Sequence, residues 1–160
     1  GVADDTENET IAQATLVDSI VKYISKSPLK DRDDLKRGLK IILGNDKKLL
    51  FREWFIEEND LFIARTLLNY FLSIREKWPN AWNTNSILVK STGVIALLNF
   101  FGDIFKTKGL ESRQEIMKSV FDNIFAKVSI NENDFNNENY PSGGIGQSKL
   151  RKQLNESSES

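Results

Sequence analysis

The stretch Asn59–Asn85, NDLFIARTLLNYFLSIREKWPNAWNTN, decides how the rest of the chain folds. Asn59 and Asp60 carry side-chain oxygens that can accept hydrogen bonds from the first free N–H groups of a helix. Pro79 disfavours helical geometry at Trp78 and predicts the helix end there. Because apolar residues on nearly all sides place a helix in the interior, we predict a central buried helix over about residues 60–77. Its apolar residues are Leu61, Phe62, Ile63, Ala64, Leu67, Leu68, Tyr70, Phe71, Leu72 and Ile74.

Helical periodicity continues on both sides of this segment, and it predicts an all-α fold, a compact irregular bundle of about five to seven helices. Residues 47–57 could be a short helix or an extended apolar run, and we favour the helix because its neighbours are helical. Gly93 lies inside a predicted helix, which indicates close helix packing or a break near Thr92. The other expected elements are helices over about residues 9–25, 32–43, 86–105 and 111–128, a C-cap at Gly44–Asn45 and a turn at 106–109.

The length of 160 residues suits one domain with its own core. We expect residues 1–8 and 155–160 to be disordered and residues 9–130 to form the helical domain. Residues 131–154 should add a glycine turn and a short C-terminal helix to the same domain, after a poorly structured polar loop at 131–139. The acidic start without an initiator Met suggests a fragment of a longer protein.

Composition excludes several classes of site. The chain has no cysteine and no histidine, so disulfides, zinc fingers, thiol nucleophiles and Ser-His-Asp triads are ruled out. The net charge of -1 gives no global field for or against nucleic acid. No apolar run is long enough to span a bilayer and no signal-peptide pattern is present, so we expect a cytoplasmic protein without membrane contact and without a cofactor.

A glycine turn followed by cations is the first candidate binding site. Glycines allow neighbouring N–H groups to converge on an anion, and a helix start adds partial positive charge. The motif is not a Walker loop, because the Gly-Lys-Ser/Thr ending is absent. It could bind phosphate or a nucleic-acid backbone, or it could be a flexible turn before a terminal helix. Its candidate residues are Gly143, Gly144, Gly146, Lys149, Arg151 and Lys152.

The second candidate is the basic segment Lys22–Lys48, which has nine Lys or Arg residues against four Asp. In the helix predicted for residues 32–43, the cations Lys36, Arg37 and Lys40 point outward, where they could contact DNA phosphates. The same pattern is expected of a solvated helix face with ion pairs. The residues expected to face inward from this helix are Leu35, Leu39, Ile42 and Leu43.

Two further sets of residues have a functional and a structural interpretation. Trp54, Trp78 and Trp82 could stack on bases, but buried aromatic residues at helix ends more commonly fill the core. The carboxylate pairs Glu57/Glu58 and Asp33/Asp34 are adjacent in sequence, so they diverge on a helix. A metal-dependent carboxylate enzyme is therefore the weakest hypothesis.

Three segments together resemble one family. They are NYFLSIREKWPNAW (Asn69–Trp82), ILVKSTGVIALLNFF (Ile87–Phe101) and YPSGGIGQSKLRKQL (Tyr140–Leu154). Their order and spacing are similar to the C-terminal helical region of DGQHR-domain proteins, the DndB-like family associated with DNA sulfur modification (phosphorothioation). In that family an aromatic-Pro-x-x-Trp turn precedes an "ILxKTTG" helix, and a "GSGGQ" turn leads into a final helix. Here Lys90–Gly93 and Ser142–Gln147 stand in those places, the second with Ile145 as an extra residue.

The chain departs from the family in one respect, because it has no histidine and therefore no Asp-Gly-Gln-His-Arg motif. In the family that motif belongs to an N-terminal part related to the ParB-like fold. The resemblance implies a non-catalytic helical domain from a bacterial or phage DNA-modification or defence protein. Such a domain would support the N-terminal domain and could contact DNA phosphates. The alternative is a protein–protein or dimerisation scaffold without a nucleic-acid role.

Overall fold

The computed structural model describes residues 13–83, 85–108 and 114–159, and these residues form the predicted all-α fold. No strand occurs among them. The predictions for residues 1–12, 84, 109–113 and 160 lie outside the described residues. The helices are α1 (residues 13–21), α2 (Pro28–Lys36), α3 (Arg52–Ile56), α4 (Asp60–Lys77), α5 (Ser91–Lys108), α6 (Lys118–Ala126) and α7 (Gly144–Ser158), with 3-10 turns at Pro79–Ala81, Ile87–Val89 and Glu132–Asp134.

Helix α4 has the predicted bounds, and its neighbours α3 and α6 pack against it. It is not buried on all sides, however. The core face carries Ile63, Leu67, Tyr70 and Ile74, whereas Leu61, Leu68 and Leu72 on the opposite face are 57%, 56% and 38% exposed. The predicted side-chain cap is absent as well, because the Asn59 side chain accepts no hydrogen bond from the first turn of the helix.

Tyr70 lies at the centre of an aromatic core between α4, α5 and α6. Its ring centroid lies 5.0 Å from that of Phe101, 5.2 Å from Phe121 and 5.6 Å from Phe125. Its hydroxyl donates to the carbonyl of Leu97 on α5. Burial raises the pKa of Tyr70 well above its ordinary value. These ring contacts join the α4–α6 pair to the α5–α7 pair.

The helix predicted for residues 86–105 is interrupted at Lys90, whose backbone is extended, and α5 begins at Ser91. Gly93 explains the arrangement, because a Cβ there would lie 2.2 Å from the carbonyl oxygen of Ile87. Both expectations for Gly93 are met, with a break nearby and close packing at the glycine itself. Helix α5 continues to Lys108, so the turn predicted at residues 106–109 is wrong for 106–108.

Helix α6 starts later than predicted, because residues 114–117 are not helical. Hydrogen bonds to two side chains of α4 hold this segment in place. Ile116 donates its N–H to the Thr66 hydroxyl (3.1 Å), and the Asn69 amide donates to the Ile116 carbonyl (2.8 Å). With both peptide groups engaged across the fold, residue 116 does not join the helix. The helix ends at Ala126, two residues before the predicted Val128.

Helix α2 begins four residues before the helix predicted for 32–43 and ends seven residues before its predicted end. Pro28 opens it, and Gly38 ends it with φ +71°. The Leu39 N–H bonds the Asp34 carbonyl (2.9 Å) and the Gly38 N–H bonds that of Leu35 (3.0 Å), which is a Schellman motif. The predicted C-cap at Gly44–Asn45 is therefore wrong. So is the inward orientation of Leu35, Leu39, Ile42 and Leu43, which are all exposed.

The two neighbouring predictions are right only in part. Helix α1 ends at residue 21 rather than 25 and is followed by a turn in which Tyr23 and Ile24 donate their N–H groups to the carbonyls of Ile20 and Val21. The ambiguous segment 47–57 contains the favoured helix, but only over Arg52–Ile56.

The C-terminal part is more ordered than predicted. Within 131–139 the Asn131 side chain caps a 3-10 turn by accepting a hydrogen bond from the Asn133 N–H. Phe135 is buried, with its ring centroid 5.0 Å from that of Trp78. Helix α7 continues to Ser158 and packs on α5, so the expected disorder is wrong for residues 155–158. No helix of the described part has both the length and the apolar character needed to cross a bilayer.

Candidate functional site

The glycines of the predicted anion site join α7 to its neighbours. Gly143 has φ +89° and precedes the helix, and its N–H lies 3.4 Å from the Thr92 hydroxyl of α5. At Gly146 a Cβ would lie 1.9 Å from the carbonyl oxygen of Pro141, so only glycine lets α7 pack on that peptide. Gly144 has open space around it. Packing thus requires glycine at residue 146, whereas at residue 143 the positive φ favours it.

Two of the three cations on α7 have internal partners. Lys149 donates to the Asn139 carbonyl (2.7 Å) and lies 5.4 Å from the Tyr140 ring centroid. Arg151 donates two hydrogen bonds to Asp103 on α5, both 2.7 Å long, and this pairing raises the pKa of Arg151. Lys152 is exposed, 3.8 Å from Glu156. Lys149 and Arg151 are therefore already engaged within the fold, and anion binding at the glycine turn stays a prediction.

The other predicted cations, Lys36, Arg37 and Lys40, lie at the end of α2 and just after it. All three are exposed, and none has an ion-pair partner within the described part of the chain. The cations before them are already engaged, since Lys30 pairs with Asp34 at 2.7 Å and Arg32 lies 3.5 Å from Asp33. Lys36, Arg37 and Lys40 are therefore a group of exposed cations near one another in sequence that no described carboxylate neutralises.

Lys40 also lines a cleft between α2 and the loop that follows it. The cleft encloses about 580 Å³. One part of its lining is apolar and mostly exposed, and the largely buried Arg52 also lines it. At the rim, Lys26 pairs with Asp46 at 2.7 Å. The apolar part of the lining consists of Leu39, Ile42, Leu43 and Leu49.

Arg52 fixes the shape of this cleft. It is 9% exposed, and its Nε donates to the Ile42 carbonyl (2.8 Å). Its Nη1 donates to the Ile24 carbonyl (3.0 Å) and to the Asp31 carboxylate (2.8 Å). The hydrogen bond from Arg52 lowers the pKa of Asp31 against the opposing effect of burial, and a bond from Ser25 adds to the lowering. One side chain thus binds the loop to α2 and to the end of α1.

Sequence reasoning did not identify the pair of Arg52 and Asp31. One signal was present. Arg52 and Glu53 are the charged residues inside the apolar run Leu49–Phe55, and a cation in such a run is buried only when a partner neutralises it. The partner, 21 residues earlier, could not be identified from spacing.

The tryptophans are mainly core residues. Trp54 and Trp78 are buried, and the Trp78 indole N–H donates to the Ile130 carbonyl (2.9 Å). Trp82 is half exposed, with its ring centroid 6.3 Å from that of Phe71. Within the described residues, no group of His, Cys, Asp or Glu is arranged to hold a metal ion, and each buried polar side-chain atom has a hydrogen-bond partner.

What this arrangement offers chemically is a surface for binding. The cleft presents exposed apolar side chains and one unpaired cation above a buried ion pair. Comparison of the chain with protein-family models, curated proteins and solved structures finds no match, so the resemblance to DGQHR-domain proteins stays a prediction.

Proposed function

We propose that this chain is a non-catalytic helical domain that binds and supports another protein domain. The setting that the resemblance implies is a cytoplasmic DGQHR-type, DNA-modification-associated protein, in which the partner is an N-terminal ParB-like domain. The chain supplies the docking surface and the partner supplies the chemistry.

The observation that carries this proposal is the cleft beside α2. Leu39, Ile42 and Leu43 are 47%, 79% and 47% exposed, although three large apolar side chains so close together in sequence are usually buried. The loop that holds them is fixed by Arg52 through the Ile42 carbonyl. Binding to a fixed apolar surface loses less conformational entropy than binding to a mobile one.

The charge of the cleft indicates what it binds. Lys26 and Lys30 are neutralised by Asp46 and Asp34, whereas Lys40 is unpaired in the described part of the chain. An apolar side chain next to a carboxylate therefore complements the surface. We expect the partner domain to present such a segment.

The experiment measures binding of the separately expressed upstream domain to this chain by isothermal titration calorimetry. Ile42→Asp removes apolar contact and places a carboxylate beside that of the partner, so we expect at least about tenfold weaker binding. Leu29→Asp is the matched control, because Leu29 is exposed but does not line the cleft. Equal affinity for both variants, or a full-length protein without an upstream DGQHR segment, contradicts the proposal.

A second candidate function is contact with DNA phosphates through Lys36, Arg37 and Lys40. The observation in its favour is that these three exposed cations are unpaired within the described residues and adjoin one another. Phosphate contacts of this kind add affinity without sequence specificity. The C-terminal candidates are less suited to the role, because Lys149 and Arg151 already have partners.

Fluorescence anisotropy with duplex DNA at several salt concentrations tests this second function. Changing all three cations to Gln should make the slope of log affinity against log salt shallower by about 2–3. The control changes three other exposed lysines, Lys106, Lys108 and Lys127, to Gln. Salt-independent binding, or an equal loss in the control, contradicts a phosphate contact at residues 36–40.

A further inference from the structure

The outer face of α4 is an apolar stripe that no described element covers. Leu61, Leu68 and Leu72 are all exposed on it. At 100° per residue, these leucines, Ala64 and Arg75 lie within about 80° of arc, directly opposite the buried face. The stripe runs the length of the 18-residue helix.

The two ends of α4 carry opposite charges at one edge of this face, and Arg65 and Glu76 lie at its other edge. Asp60 lies at the start of α4, with Glu57 and Glu58 just before it, and Arg75 lies in the last turn. All four side chains are exposed. A second helix running in the opposite direction would place opposite charges together at both ends. A parallel second helix would place like charges together.

The stripe is also self-complementary about its middle. If Leu68 lies on a two-fold axis, Leu61 faces residue 75 of the other copy, and Ala64 faces residue 72. Ala64 is small, which allows the two helices to approach closely at that level. Asp60 then lies beside Arg75 of the other copy, on the same side of the interface. An isologous two-fold contact needs this kind of self-complementarity.

We propose that α4 pairs with α4 of a second copy of this chain, antiparallel and centred on Leu68. A single helix pair buries little area compared with a standard interface, so the dissociation constant should be on the order of micromolar. The proposal does not rest on the proposed function, because the cleft beside α2 lies outside this face. Dimer formation and partner binding are therefore tested separately.

Sedimentation velocity of the chain from about 1 to about 500 μM measures the association. We expect a concentration-dependent monomer–dimer equilibrium. Leu68→Lys places two ammonium groups against each other on the two-fold axis and should weaken the dimer at least about tenfold. Leu29→Lys, at an exposed leucine on α2, is the matched control and should leave it unchanged. Circular dichroism confirms that both variants are folded.

A charge exchange tests the antiparallel register. Asp60→Lys and Arg75→Asp should each weaken the dimer, and the double variant should restore it, because the exchanged charges again lie opposite each other. A chain that stays monomeric, or a dimer that tolerates Leu68→Lys, overturns the proposal and assigns the face to another occupant. Failure of the double variant to recover overturns the antiparallel pairing.

Discussion

Arg151 on α7 and Asp103 on α5 form a bidentate ion pair, with two hydrogen bonds of 2.7 Å across 48 residues of sequence. Asn155, one turn further along α7, donates a third hydrogen bond to the same carboxylate (2.8 Å). Burial tends to raise the pKa of Asp103, but the bonds from Arg151 and Asn155 outweigh it and hold the pKa low. Arg151, which the sequence analysis assigned to phosphate contact, therefore helps to hold the C-terminal helix α7 against α5.

Arg151→Ala should destabilise the protein by about 1 kcal/mol, because the pair is partly exposed and its Coulomb energy is screened. Lys152→Ala, the adjacent residue with its side chain in solvent, should change stability by less than about 0.5 kcal/mol. Urea unfolding measures both. Equal effects at the two positions would show that the pair adds nothing to the packing of α7.

Substitution of the packed glycines should be far more damaging than substitution of the open one. Gly93→Ala and Gly146→Ala push a methyl group into backbone oxygens at 2.2 and 1.9 Å, so each should cost about 3 kcal/mol or more. Gly144→Ala, at the start of α7 with nothing within 4 Å, should stabilise by about 0.5 kcal/mol. Thermal unfolding ranks the three variants by stability. An unchanged melting temperature for Gly93→Ala would contradict the close approach of residue 93 to the Ile87 carbonyl.

The buried pair of Arg52 and Asp31 makes stability depend on pH. The pKa of Asp31 is lowered on folding, so its stabilising contribution is present above the unfolded-state value of about 4 and is lost as the pH falls further. Asp31→Asn should cost about 3 kcal/mol at pH 7, since it leaves a buried guanidinium without its counter-charge. The difference in unfolding free energy between the Asp31→Asn variant and the native protein should shrink as the pH falls towards 2.

Chemical unfolding at several pH values measures that difference directly. Asp33→Asn serves as the control, because the Asp33 side chain is 61% exposed. A constant gap between the Asp31→Asn and native proteins from pH 7 to pH 2 would exclude a titrating contribution from this pair.

Two adjacent leucines test whether α4 is buried on one face only. Leu67 lies in the core and Leu68 in solvent. Leu67→Ala should cost about 3 kcal/mol, and Leu68→Ala less than about 0.5 kcal/mol at about 0.05 μM protein, well below the micromolar dissociation constant expected for the α4 pair. Urea unfolding of both variants measures this. Similar losses would indicate that the outer face is covered.

The sequence predicts where helices lie better than it predicts which face of a helix is buried. The spacing of apolar residues identifies α4 and its end at Pro79, and both are confirmed. The same spacing does not show which face of α4 is buried, because apolar residues occupy both faces, as at Leu67 and Leu68. The choice depends on Phe101, Phe121 and Phe125, which pack from other helices.

The errors in helix bounds arise from bonds between distant residues. Residue 116 stays outside α6 because Thr66 and Asn69 of α4 bond its peptide groups. The end of α2 is different, because Gly38 is a local signal that could have been used. Arg52 was identifiable as a cation within an apolar run, but its contacts to Asp31, Ile24 and Ile42 follow only from the tertiary fold.

Hydrogen–deuterium exchange of this chain, alone and with the proposed DGQHR-type partner domain, tests the proposed docking function most directly. We predict that binding slows exchange in peptides covering residues 39–49, the loop that Arg52 holds beside α2, and leaves the outer face of α4 unchanged. Unaltered exchange at residues 39–49, or protection centred on the C-terminal helix α7, would contradict the proposal.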